Sequence, residues 1–145
     1  MEVGIDALLK VYGPVTPTRL GLRYVDVVDK ERIEADLGRR TTWQDLISDR
    51  FLSVPTGLAN LEDTLFACEV VSAMPAGGAL TVRHGLVREG DQTVKYRLDA
   101  DRYVESGIDP TRIVEQLGSF ADDLFAVFVA AMGPDLREWM PERTT

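Results

Sequence analysis

The sequence predicts an α+β domain: an antiparallel sheet of about four strands with a long C-terminal amphipathic helix packed on one face. Three observations carry this expectation. Residues 65–100 hold three strand signals separated by short Gly-containing turns. An earlier segment, Arg19 to Val28, alternates apolar and polar residues. From about Pro110 to Met132, apolar residues recur at three- and four-residue steps. The 145 residues are the size of one domain, taken as a single unit over 1–145. A chain of that length buries roughly two-thirds of its unfolded surface, so it needs no disulfide or metal to fold.

Taken in order, Val3, Ile5, Leu8, Leu9 and Tyr12 are spaced like one face of a short helix, which Gly13-Pro14 stops. In the first strand Leu20, Leu22 and Tyr24 alternate with Arg19, Gly21 and Arg23, giving one apolar face; Gly21 marks a bulge or a close backbone approach. Asp29 to Leu37 is charged and reads as a short helix or loop. Thr42, with Asp45 three residues on, has the spacing of a capping box. It opens a segment whose apolar stripe is Trp43, Leu46, Ile47 and Phe51, closed by Pro55 and Gly57.

Leu65 to Ala73 reads as a mostly buried strand, Pro75-Ala-Gly-Gly78 as a turn and Ala79 to Arg88 as a second strand. After a turn at Glu89-Gly-Asp-Gln92, Thr93 to Ala100 reads as a third. There Val94, Tyr96, Leu98 and Ala100 face one way and Lys95, Arg97 and Asp99 the other. Short turns between consecutive strands imply antiparallel hairpins with one solvated face. The closing helix has Asp109 as N-cap and Pro110 at its first position. Its stripe is Ile113, Leu117, Phe120, Leu124, Phe128 and Met132, widened by Val114, Ala121, Phe125 and Val129; Gly133-Pro134 ends it, and Asp135 to Met140 adds a last turn.

Composition narrows the function classes. With 24 acids against 16 bases, a net charge of −8, the chain is a poor partner for a phosphate backbone, although Arg19, Arg23, Arg32, Arg39 and Arg40 concentrate in the first third. The single cysteine, Cys68, allows no internal disulfide, and residues 1–6 lack the basic start and apolar run of a signal peptide. No stretch approaches the ~18 apolar residues of a membrane span. The expectation is a cytoplasmic, acidic protein with no membrane and no nucleic-acid partner.

Little catalytic chemistry is written in the residues. One histidine, His84, and one cysteine cannot make a zinc site, so no metal and no cofactor is expected. Cys68 sits in an apolar strand without a basic pocket and reads as a buried structural thiol. Asp99-Ala-Asp101 places two carboxylates on one side of a strand, either as a cation or acid–base pair or, more plainly, as a solvated Asp99 and an Asp101 that helps the following turn. Arg19, Arg23 and Asp26 on the first strand could grip a carboxylate or phosphate, or be satisfied by neighbouring acids. There is no P-loop and no nucleophile elbow. Arg19, Arg23, Asp26, Asp99 and Asp101 are the candidate ligand- or partner-contact residues; no catalytic residue is assigned.

The segments Arg19-Leu-Gly-Leu-Arg-Tyr24 and Tyr96-Arg-Leu-Asp-Ala-Asp101, followed by Asp135-Leu-Arg-Glu-Trp139, give the chain a family likeness. It resembles a family of sporadically distributed bacterial proteins that carry an Arg-aliphatic-Gly-Leu-Arg-Tyr-aliphatic-Asn strand. In these a Leu-Asp-aliphatic-Asp strand end follows, then a helix with a central phenylalanine and a closing Leu-Arg-Glu. The resemblance spans about Leu8 to Met140. Two departures stand out. The family's Asn is Asp26 here, so no role of that amide carries over. Family members also carry a substantial portion before the Gly-Leu-Arg-Tyr strand, so the resemblance implies the C-terminal portion of a longer architecture, a half-length form or one piece of a split protein. The family implies no settled activity and no catalytic residues. Its patchy occurrence implies an accessory system of the mobile-element, defence or toxin–antitoxin type.

Three functions are therefore expected to compete. The first is a non-catalytic protein–protein interaction or assembly protein, a homo-oligomer or the partner of a neighbouring gene's product. The second is a SecB-like chaperone or antitoxin-like binder with an exposed apolar groove. The third is a ligand-binding or enzymatic domain using the Arg19/Arg23/Asp99 region, which needs those side chains to converge. Part of the closing helix's stripe is expected to pack against a second subunit.

Overall fold

A computed structural model describes residues 11, 17–56, 61, 64–88, 90 and 93–140. The expected helix over residues 3–12 and the turn at 89–92 lie, but for Val11 and Gly90, outside the described residues, as does the Gly57 stop. Four strands, β1 (Leu20–Val28), β2 (Cys68–Ala73), β3 (Ala79–Arg88) and β4 (Val94–Val104), form one antiparallel sheet in the order β1-β4-β3-β2. The helices are α1 (Lys30–Leu37), α2 (Trp43–Leu46), α3 (Asp49–Thr56), α4 (Ile113–Ala131) and α5 (Pro134–Trp139). The α+β class, the antiparallel sheet and the long helix on one face are what the sequence patterning predicts.

Alternation fixes the two faces. Along β4, Tyr96, Leu98, Ala100, Arg102 and Val104 are all buried beneath the helices. The core joins Tyr96 and Leu98 to Val28 and Leu86 of the sheet, Ile33 of α1, Trp43 and Leu46 of α2, and Ala131 and Leu136. α4 crosses over β1 and β4, leaving β2 and half of β3 uncovered on that side. Among the described residues the opposite face of the sheet carries no helix, and it is lined by the odd residues of β1, β3 and β4.

Local chemistry sets the helix ends. The Asp29 carboxylate accepts the Arg32 N–H at the start of α1. Thr42 and Asp45 form the expected capping box of α2. Asp109 accepts the Thr111 N–H, but the turn it caps, Pro110–Arg112, is a 3-10 helix that leads into α4. The orphan carbonyls at the far end of α4 are met from outside the helix. Ser48 donates its hydroxyl to Ala130 and its N–H to Ala131, while Arg137 donates to Val129 and Met132. Gly133 makes this junction possible: a Cβ there would lie 2.3 Å from the Asp45 carbonyl oxygen.

Four expectations are corrected. The third strand signal does not end at Ala100 but runs to Val104, because β1 on one side and β3 on the other offer backbone partners for the whole length. Asp101 is therefore mid-strand rather than a turn residue. The segment read as a mostly buried strand from Leu65 is an edge strand that starts at Cys68; Val70 is exposed because α4 does not reach over it, and Val71 is exposed on the opposite face. Cys68 is half-buried, not fully so. Finally, Val114 and Phe125, read as widening the core stripe, are exposed.

Candidate functional site

The β1–β4 pairing builds the most charged constellation on the helix-free face. Arg23 stands opposite Asp101 and Val25 opposite Asp99, so Arg23 reaches diagonally to Asp99. The contact is bidentate, Nε to Oδ1 at 2.7 Å and the second nitrogen to Oδ2 at 2.5 Å. Arg19 donates to Asp101 at 3.0 Å and lies 4.4 Å above the Tyr103 ring. Gly21 is opposite Tyr103 in an unbulged register; a Cβ there would press on the Tyr103 Cβ at 3.1 Å. The close approach expected of Gly21 is thus present, without a bulge.

Arg19, Arg23, Asp99 and Asp101 converge, and in converging they neutralise one another. The Arg23 guanidinium holds the Asp99 carboxyl below the usual carboxylate range, although Asp99 is only 5% exposed. Asp26 is not among them. Its even position turns it to the helix side, half-buried, where burial pushes its carboxyl upward. It has no hydrogen bond or ion pair among the described residues. The other early arginines do not pool into a basic patch either. Arg39 forks onto Asp135 and reaches Glu138, and Arg32 lies 5.9 Å over Trp139.

The helix side holds an arginine that sequence reasoning passed over. Arg102 is 1% exposed. It donates to Asp123 at 2.9 Å and to the carbonyls of Gly77 at 2.8 Å and Tyr103 at 2.9 Å, with Phe120 stacked at 4.5 Å. It fastens the β2–β3 turn to α4. Toward the other end of β4, Tyr96 and His84 make a second, part-buried polar contact at 2.9 Å. Burial pushes the Tyr96 phenol up and the His84 imidazole down, which favours the neutral form of both partners. Both are structural roles. Among the described residues no group of acidic, histidine and cysteine side chains could hold a metal ion, and no helix is long and apolar enough to cross a membrane.

Two concave regions flank this frame. A trough of about 400 Å3 lies over Gly85 on the helix-free face, between Arg83 and Arg97; Arg83 is engaged by Glu69. A groove of about 490 Å3 runs along α4 over β2 and β3, walled by Phe51, Val70, Leu80, Val82 and Val127.

The remaining feature is the β1 edge. Among the described residues β1 pairs only with β4, so the other side of its nine residues of backbone has no strand partner there. Side chains on both faces of this edge are apolar and in water: Val25 at 46% and Val27 at 45% on one face, Tyr24 at 41% on the other, with Phe125 of α4 at 62%. Sequence patterning put Tyr24 and Phe125 in apolar stripes; it could not say that the stripes outrun their cover. No family model, curated protein or solved structure matches the chain.

Proposed function

We propose that the chain is a non-catalytic protein–protein interaction or assembly protein that joins its partner by strand pairing at β1. One observation carries this reading: a nine-residue edge strand without lysine, proline or bulge, flanked on both faces by exposed apolar side chains. Edge strands of soluble proteins are ordinarily shortened, bulged or guarded by charge. β1 contains two charges; that of Arg23 is drawn over the sheet onto Asp99, and Asp26 turns to the helix side, half-buried. Strand addition uses main-chain hydrogen bonds for affinity and alternate side chains for specificity, and β1 offers both. The accessory bacterial setting implied by the Gly-Leu-Arg-Tyr resemblance fits an assembly role. A ligand-binding reading of the Arg19/Arg23/Asp99 region gains less support, since each guanidinium is already engaged by an aspartate.

Hydrogen exchange on the chain, alone and together with the proteins that co-purify with it, tests the reading. The peptide covering residues 20–28 is expected to exchange more slowly than the other edge, 68–73, at working concentration, and to lose that protection on dilution. Equal, fast exchange of both edges under every condition sinks it.

A further inference from the structure

Resting on the strand-pairing reading, we infer that the partner at β1 is a second copy of this chain, joined about a two-fold axis at Tyr24 so that two sheets become one of eight strands and the two α4 helices meet at Phe125.

The register follows from charge and length. An antiparallel two-fold pairing sets each residue against its mirror position across the axis. An axis at Arg23 would oppose two arginines, and one at Asp26 two carboxylates, both unfavourable. An axis at Tyr24 pairs all nine residues of β1, Leu20 against Val28 and Arg23 against Val25 of the second copy. It covers Val25 and Val27 on one face and opposes the two Tyr24 rings on the other. It also places the Tyr24 phenol diagonal to Asp26 of the second copy, within reach of a long side chain. That answers the half-buried Asp26 carboxyl, which lacks a partner among the described residues.

The helix layer gives an independent argument. Arg102, opposite Leu22 in the β1–β4 register, contacts Phe120 and Asp123. Farther along, Phe128 shares a cavity wall with Asp26, Val27 and Val28. α4 therefore runs in the direction of β1, and residue 125 falls level with Tyr24. Around the helix, Asp123, Ala126 and Ala130 line the groove over β2 and β3. At 100° per residue, Val114 and Phe125 lie on the opposite flank, the one that overhangs the β1 edge. The rotation that pairs the strands thus brings the exposed flanks of both helices together. The rim is about 30 Å long and about 20 Å deep across sheet and helix, about 600 Å2 in projection, near the ~800 Å2 of accessible surface per partner that standard interfaces bury.

Disulfide trapping tests the register in a Cys68→Ala background. Opposed strand residues have Cα atoms about 4.5–5.5 Å apart, within disulfide range. Tyr24→Cys should form covalent dimer at least about tenfold faster than Val71→Cys on the other edge, because pairing raises the effective thiol concentration. Val25→Cys, one position off the axis and so two register positions from its own copy, should lag behind Tyr24→Cys. Sedimentation equilibrium supplies a measurement without cysteines: the parent chain dimerises, and Phe125→Lys, a change at an exposed site, weakens the dimer at least about tenfold. Faster trapping of Val25→Cys overturns the register. A monomeric parent chain whose β1 is protected only in complex with a different protein overturns the second-copy assignment and leaves strand pairing standing. A monomer with β1 unprotected throughout overturns both.

Discussion

Arg102 and Arg23 share a residue type and a kind of partner, and they sit on opposite faces of one sheet. Arg102 points under α4, where water cannot reach it, and every donor direction used ends on an acceptor fixed by the fold. Arg23 points to the helix-free face, its side chain 53% exposed, and holds one carboxylate. A buried ion pair stabilises only when all its groups are satisfied, and removing one partner leaves the rest stranded. An exposed one is discounted by solvent and salt. The difference teaches that the arginine the sequence advertises tunes a surface, while the one it hides holds the β2–β3 turn, β4 and α4 together.

Substitution of Arg102 probes this most severely. Arg102→Ala strands the Gly77 and Tyr103 carbonyls and empties a packed site beside Phe120, and should cost about 3–5 kcal/mol in urea unfolding, with little dependence on salt. A cost under about 1 kcal/mol, the range of exposed pairs, would erase the contrast.

The second, part-buried polar contact extends the comparison to pH. Burial holds the His84 imidazole below its ordinary 6.5. The unfolded chain then binds a proton that the folded chain does not, so stability falls as pH drops below about 6.5. His84→Phe should flatten the melting temperature between about pH 5 and 7, the span in which an unperturbed histidine titrates.

On the open face the sign comes from a depressed carboxyl. The Arg23–Asp99 contribution is fully present above the unfolded aspartate value of about 3.9 and is lost as pH falls through the lower folded value. Arg23→Gln should raise the folded Asp99 value, seen by NMR titration, and move acid unfolding to higher pH. Near 1 M salt, where the Debye length is about 3 Å, the two chains should converge. Smallest of all, Arg19→Ala should change stability by about 0.5 kcal/mol or less, because the Arg19–Asp101 pair is largely solvated.

The parity of Arg19, Arg23 and Asp26 already separates the last from the first two, since side chains alternate along a strand. Sequence reasoning grouped them nonetheless, because it weighed chemistry over parity. Asp99 and Asp101 were rightly seen to share a face. Their partners were not visible, because Arg23 and Asp99 are 76 positions apart and only the β1–β4 register brings them together. Arg102 gave no signal: it follows the strand end read at Ala100, and a burial pattern cannot be assigned to a strand not known to continue.

The sequence by itself determined what neighbours a few residues apart can enforce. The alternation of Val94 to Ala100, the Thr42–Asp45 capping box, the Asp109-Pro110 start and the apolar stripe of α4 depend on backbone sterics and local hydrogen bonds. Only the tertiary structure decided that β1 lies beside β4 and at an edge, that α4 covers β1 and β4 but not β2, and that Phe125 is left in water. Periodicity tells which side of an element is apolar. Whether that side is covered depends on how far another element reaches across it, and that is set by packing over the whole sheet.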